Sequence, residues 1–271
     1  LEIHNARADL SRRAVVYSMQ GLSFREYLNL VSESNFDRVS LSEILSDHET
    51  LARDVLNKVR PLSHFQTYLR TGYFPFFVEG TETYLQRLES VISLVLDVEL
   101  PLLRQVDPGY VPKLRMLLGI IAHSAPFKPN IARLSDRIQI NRQTLLSYIH
   151  YLSEAGLIRE LHKRSRGTGS LQKPDKIYLE NTNMMFAFQD RPPAVGTVRE
   201  TFLQNQLAYG HTLNYPEAGD FVVDDTYTLE VGGKRNNRDQ IRDVPDSYVV
   251  ADDIEYGYRD TIPLWLFGFL Y

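Results

Sequence analysis

The sequence predicts a multidomain α+β chain: a helical lid region, a winged helix-turn-helix and a small α/β domain. Three observations predict it. Apolar residues recur at helical spacing from 40 to 103, the segment 108–180 follows the order helix, helix, tight turn, helix, hairpin, and beyond Asn181 strands rich in Val, Tyr and Phe mix with helix. The boundaries that follow are 1–31, 32–107, 108–180 and 181–271.

The elements are justified in order. Ala14 to Tyr17 reads as a strand, and Ser23 with Glu26 three residues on reads as a capping box that opens a short helix. A helix starts at Leu41 or Ser42 and continues through Asp47 to Val59, with Leu51, Val55 and Val59 four residues apart, and Ser63 to Arg70 forms the next. Gly72 to Phe77 is a turn with an aromatic cluster, read as core rather than as a base-stacking platform. Thr81 to Leu100 is a long amphipathic helix that Pro101 ends.

After the turn signal Asp107-Pro108-Gly109, Val111 to Ser124 is a helix with one buried face. Asn130 caps Ile131 to Ile138, Asn141 caps Arg142 to Glu154, and Gly156 stops that helix. Leu157 to Leu161 and Lys176 to Leu179 are strands around the Gly/Ser-rich loop 165–170. Val198 to Leu207 is then a helix, and Asp220 to Val223, Tyr227 to Val231, Ser247 to Ala251 and Leu264 to Tyr271 are strands.

With 271 residues, 43% hydrophobic and 24% charged, the chain falls in the globular range and can build two or three small cores. It has no cysteine, which excludes a disulfide framework, a thiolate zinc site and a cysteine nucleophile and permits the cytoplasmic location expected for it. Its longest apolar runs are about half the roughly 20 residues that a membrane-spanning helix needs, so no membrane partner is expected. The first residue is Leu1, and the chain is expected to be a piece of a longer product.

Net charge is −4, but it is unevenly spread: residues 108–180 carry 12 Lys/Arg against 5 Asp/Glu, whereas 1–107 carry 11 against 15 and 181–271 carry 7 against 14. A basic segment between acidic ones suits DNA, whose phosphates dominate affinity; it equally suits a basic face docked on its acidic neighbours. In helix-turn-helix units the helix after the turn presents its first residues to base edges. Leu145, Ile149 and Leu152 take the buried side of that helix, leaving Arg142, Gln143 and Ser147 as DNA-contact candidates. The hairpin adds Lys163, Arg164, Arg166 and Lys173 for phosphate contact. His residues show no ligand spacing, and no Gly-x-Ser-x-Gly elbow is present.

Several short blocks carry a resemblance. Ala8-Asp9-Leu10-Ser11-Arg12-Arg13, Gly21-Leu22-Ser23-Phe24-Arg25-Glu26-Tyr27-Leu28, Phe65-Gln66-Thr67-Tyr68-Leu69, Lys173-Pro174-Asp175-Lys176-Ile177-Tyr178-Leu179, Gly219-Asp220-Phe221, Glu230-Val231-Gly232-Gly233-Lys234 and Ile262-Pro263-Leu264-Trp265 occur in this order. Together they resemble the C-terminal region of a bacterial and archaeal AAA-type (P-loop) ATPase family with a conserved C-terminal domain of unknown function. The resemblance implies that an ATP-binding core precedes the Asp-Leu-Ser-Arg-Arg block and would be a partner of this piece, which has no phosphate-loop motif and is expected to bind no cofactor of its own. It implies that Arg12 and Arg13 are remnants of a nucleotide-sensing edge; ordinary surface arginines read the same way.

The same resemblance makes residues 181–271 similar to a restriction-endonuclease-like fold. There a helix carboxylate, a strand Asp and a Glu-x-Lys gather a divalent cation and a nucleophilic water. The matching positions are Glu200, Asp220 and Glu230, with Mg2+ at Asp220 and Glu230. Gly232 stands where the lysine belongs, and Lys234 is the nearest cation in sequence. The leading expectation is a non-catalytic C-terminal region of an AAA-type ATPase that contacts DNA through the winged helix. The alternatives are a Mg-dependent nuclease using Glu200, Asp220, Glu230 and Lys234, for which Asp220 and Glu230 must share a face, and a protein-interaction module, which Lys163, Arg164 and Arg166 buried against carboxylates would favour.

Overall fold

A computed structural model describes residues 19–104, 106–124, 126–164, 173–188, 192–236 and 238–271. Arg12, Arg13, the expected strand at 14–17, the loop 165–170 and Arg166 lie outside the described residues. Within them the chain is mixed α+β, with helices, a two-stranded hairpin and a five-stranded sheet.

Local chemistry places the first helices. In α1 (Phe24–Val31) the Ser23 hydroxyl accepts from the Glu26 N–H at 3.2 Å and the Glu26 carboxylate accepts from the Ser23 N–H at 2.9 Å, a reciprocal capping box. Ser40 and Glu43 repeat the motif at the start of α2 (Leu41–Leu56), which kinks at Asp47. Helix α3 (Pro61–Thr71) begins earlier than Ser63 because proline fits the first helical position, where its missing N–H is not needed. Tyr73 is buried and Phe74, Phe76 and Phe77 pack against the same core, so the aromatic cluster is core.

The helix expected to stop at Pro101 does not. α4 (Tyr84–Leu94) passes through a π-type turn, Val95–Glu99, into α5 (Leu100–Arg104). The Leu100 N–H bonds Val95 O, five residues back, and the widened turn accommodates the ring and the missing donor of Pro101 that would break a regular helix.

Helices α6 (Val111–Ser124), α7 (Ile131–Ile138) and α8 (Arg142–Glu154) follow, with Asn130 and Asn141 as side-chain caps. Gln139 turns the chain between α7 and α8 in the left-handed region (φ 57°), and Gly156 (φ +69°) ends α8 as expected. The antiparallel hairpin β1 (Ile158–Leu161) and β2 (Lys176–Leu179) comes next, and Phe127 adds a bridge on the outer side of β2.

Helices α9 (Thr182–Ala187) and α10 (Val195–Leu207) lead to the sheet β3 (Leu213–Asn214), β4 (Phe221–Val223), β5 (Tyr227–Gly232), β6 (Ser247–Ala251) and β7 (Thr261–Pro263), ordered as in the chain. β3, β4 and β5 are antiparallel, and β5, β6 and β7 parallel. The last expected strand is overturned: Leu264–Phe269 is a 3-10 helix whose six residues are all buried. A strand with one buried face alternates, whereas this run is enclosed on every side and has no polar face to reveal a period.

One continuous set of buried side chains runs from Phe24 to Phe269 and includes residues of the hairpin and of the sheet. Amides and phenols cross it. Asn183 accepts from Tyr73 N–H at 2.9 Å and from the Tyr84 hydroxyl, and donates to Tyr68 O and Leu69 O at the end of α3. Asn205 donates to Glu180 O, and Gln206 to the Tyr68 hydroxyl. No helix among the described residues is long and apolar enough to cross a membrane.

Candidate functional site

The antiparallel pair β4–β5 positions the first two carboxylates. Phe221, the first residue of β4, pairs with Leu229, and Asp220 just before it lies near Glu230, whose carboxyl feels its charge. The Asp220 N–H donates to Leu229 O at 2.8 Å, and Asp220 Oδ2 accepts from the Val231 N–H at 2.9 Å, which holds the side chain over β5. Glu230 is buried, and its Oε1 accepts from the Gln240 side-chain amide at 3.0 Å.

Helix α10 supplies Glu200 and the hairpin supplies its counter-ion. Lys176 and Tyr178 are two residues apart in β2 and face the same way. Lys176 Nζ lies 2.5 Å from Glu200 Oε2 and 3.7 Å from Asp220 Oδ1, with the Lys176 side chain only 8% exposed. The Tyr178 hydroxyl donates to Glu200 Oε2 at 2.8 Å. Burial, and then the Asp220 and Glu200 charges, push the Glu230 carboxyl up to about 7. Burial followed by Glu200 also raises Asp220, against the pull of Lys176. Exposed Lys128 stands at the rim, its ammonium 5.4 Å from the Tyr215 ring; a hydrogen bond to Tyr215 raises its pKa, with smaller contributions from Glu200 and Asp220.

Glu200, Asp220 and Glu230 therefore come together, but the arrangement does not fit a divalent cation. Mg2+ needs carboxylate oxygens at about 2.0–2.1 Å, and here an ammonium sits against Glu200 and beside Asp220. Among the described residues no group of three His, Asp or Glu side chains is placed to hold a metal ion. A side chain at Gly232, the expected lysine position, is also blocked: its Cβ would lie 2.3 Å from Asn236 Cγ. β5 ends at Gly232, and Lys234 is exposed in the turn beyond it.

The basic face is separate. Arg142 and Gln143 are exposed in the first turn of α8, with Ser147 half-buried one turn on. Lys163, Arg164 and Lys173 are exposed at the open end of the hairpin. Lys163 Nζ is 5.9 Å from the Tyr215 ring, and Arg164 reaches Asp225 at 3.4 Å while remaining 73% exposed. Such a pair is screened by solvent and contributes little. Neither cation is buried against a carboxylate. The hairpin does touch the sheet unit through its backbone, Tyr215 N–H donating to His162 O at 2.7 Å.

Sequence reasoning missed Lys176, Tyr178 and Lys128. Lys176 carries no signal in the sequence alone; only the structure shows that all four residues of Lys176–Leu179 are buried, where a lysine needs a carboxylate partner.

This geometry defines a mixed α+β chain with a lysine-neutralised carboxylate centre and a separate exposed basic face. Residues 62–193 match the family described as Domain of unknown function (DUF8612). The chain is also similar to an uncharacterized protein of Methanocaldococcus jannaschii, at 22% identity over 258 residues, covering 86% of this chain and 54% of that protein. It thus spans about half the length of the curated relative it matches. No solved structure matches it.

Proposed function

We propose that residues 108–180 form a winged helix-turn-helix that contacts duplex DNA, within a non-catalytic C-terminal region of an AAA-type ATPase whose last unit keeps a restriction-endonuclease-like fold. The observation that carries this reading is the exposure of Arg142 and Gln143 in the first turn of α8, with exposed Lys163, Arg164 and Lys173 on the hairpin. The first turn of a recognition helix is where side chains reach base edges, and flexible cations near it suit phosphate. Convergence of Glu200, Asp220 and Glu230 favours a second reading, a Mg-dependent nuclease; Lys176 in the cation's place sets it second.

The test is fluorescence anisotropy with labelled duplex DNA across a salt series. Affinity falls steeply with salt, and Arg142→Ala weakens binding by about tenfold. Affinity that ignores both salt and Arg142 refutes the reading. Cleavage of the duplex in Mg2+ that is lost in Glu230→Gln would instead establish the second one.

A further inference from the structure

Three carboxylates from three elements face one space: Glu200 from α10, Asp220 from the start of β4 and Glu230 from β5. Carboxylates gathered in this way require a positive charge, because like charges taken out of water repel each other strongly. The charge present is an amine. It comes from neither α10 nor the sheet but from β2 of the hairpin, more than 20 residues before the nearest of the carboxylates in the chain.

We propose that Lys176 is the resident cation of this centre: its ammonium takes the place of a divalent ion between Glu200 and Asp220, and while it is there the chain binds neither Mg2+ nor Mn2+ at these carboxylates. The inference is independent of whether the basic face meets nucleic acid.

Four features support it. The ammonium is in hydrogen-bond contact with Glu200 Oε2 and within ion-pair distance of Asp220 Oδ1, so a metal bridging those two oxygens would collide with it. Its side chain is buried, so the charge has exchanged water for these partners and cannot swing out without leaving them uncompensated. Further hydrogen bonds hold the carboxylates in place: Asp220 Oδ2 accepts from the Val231 N–H, Glu230 Oε1 from Gln240, and Glu200 Oε2 additionally from Tyr178. Finally, Asn236 fills the space that a side chain at Gly232 would need, so β5 supplies no cation of its own.

The experiment measures Mn2+ binding by electron paramagnetic resonance and melting temperature by calorimetry, on the full chain, with Mn2+ or with chelator. The unsubstituted protein should bind no Mn2+ that Asp220→Asn abolishes, and its melting temperature should be the same in both conditions. Lys176→Met should melt lower in chelator and regain roughly 5 °C when Mn2+ is about 100 times its dissociation constant. That recovery should vanish in Lys176→Met with Asp220→Asn. If Lys176→Met does not fold, the unsubstituted protein alone decides: stoichiometric Mn2+ binding lost in Asp220→Asn or Glu230→Gln overturns the proposal, and its absence upholds it. A folded Lys176→Met that Mn2+ leaves unchanged also overturns it, because a space that only a lysine can fill is not a cation site with a substitute ion.

Discussion

Asp220, just before β4, lies close enough to Glu230 of the neighbouring strand β5 for its charge to act on that carboxyl, and neither strand brings a cation to them. The positive charge arrives from the hairpin, where Lys176 contacts Glu200 and approaches Asp220. Glu230 has these half-buried carboxylates as neighbours, together with amide donors and only a weaker pull from Lys176.

Stability should therefore fall as pH rises through neutrality. The Glu230 carboxyl is raised from 4.5 to about 7, so the stability linked to this group is complete below about pH 4.5 and is lost as pH climbs through 7. Asp220, also raised, acts in the same direction. Glu230→Gln removes the penalty: it should melt a few degrees above the unsubstituted protein at pH 8 and gain nothing at pH 4.5. Equal shifts at both pH values, read by calorimetry, would exclude this origin.

The ion pair between Lys176 and Glu200 should couple the hairpin to α10. Lys176→Met leaves the half-buried Glu200 carboxylate without its partner and should cost about 2 kcal/mol in urea denaturation. Adding Glu200→Gln should return at least about 1 kcal/mol of that loss, a coupling expected only for residues in contact. Strictly additive losses would mean that the pair contributes nothing to the folded state.

The parts legible in the sequence are those that local chemistry decides. Ser23 with Glu26, Asn130, Asn141 and Gly156 announce helix ends because caps bond within three or four residues. Asp220 and Glu230 are reached through the family resemblance rather than through local chemistry, and the short turn between β4 and β5 keeps them near each other. Three features escaped for physical reasons. Leu264–Phe269 is buried all round, so its apolar run shows no period. The π-type turn before Pro101 lets a helix continue through a residue that ordinarily ends one. Lys176 meets partners 24 and 44 residues away, and no local pattern records such a meeting.

Asn183 should be among the most sensitive positions in the core. Its side chain satisfies Tyr73 N–H, Tyr68 O and Leu69 O as well as the Tyr84 hydroxyl, so it closes the end of α3 and orients the aromatic turn after it. Asn183→Leu leaves buried backbone groups unpaired and should cost about 2–4 kcal/mol in urea denaturation. A loss below about 1 kcal/mol would mean that water or a shifted side chain replaces it.

Gln139 offers the opposite sign. It is exposed, holds the left-handed conformation at the end of α7, and its carbonyl accepts from Lys113 whatever its side chain. Gln139→Gly relieves the backbone penalty but adds entropy to the unfolded chain, and should leave a net gain of about 0.5 kcal/mol. A loss of stability on thermal denaturation would show that the Gln139 side chain itself contributes.

On the proposed reading, the basic face divides by the kind of contact each side chain would make with DNA. Lys163 is exposed at the open end of the hairpin, and an ammonium there would meet phosphate, which carries no sequence information. Lys163→Ala should weaken binding to all duplexes alike and reduce the slope of log affinity against log salt by about 1. Gln143, exposed in the first turn of α8, has an amide that can both donate to and accept from an adenine edge but carries no charge. Gln143→Ala should leave the salt slope unchanged and flatten differences among duplex sequences by roughly tenfold. Lys234→Ala provides the internal comparison, since that lysine is exposed in a turn beyond β5, in the sheet unit rather than the hairpin. A loss for Lys234→Ala as large as for Lys163→Ala would place DNA on the sheet unit instead of the hairpin, and anisotropy titrations of the three variants at two salt concentrations distinguish the cases.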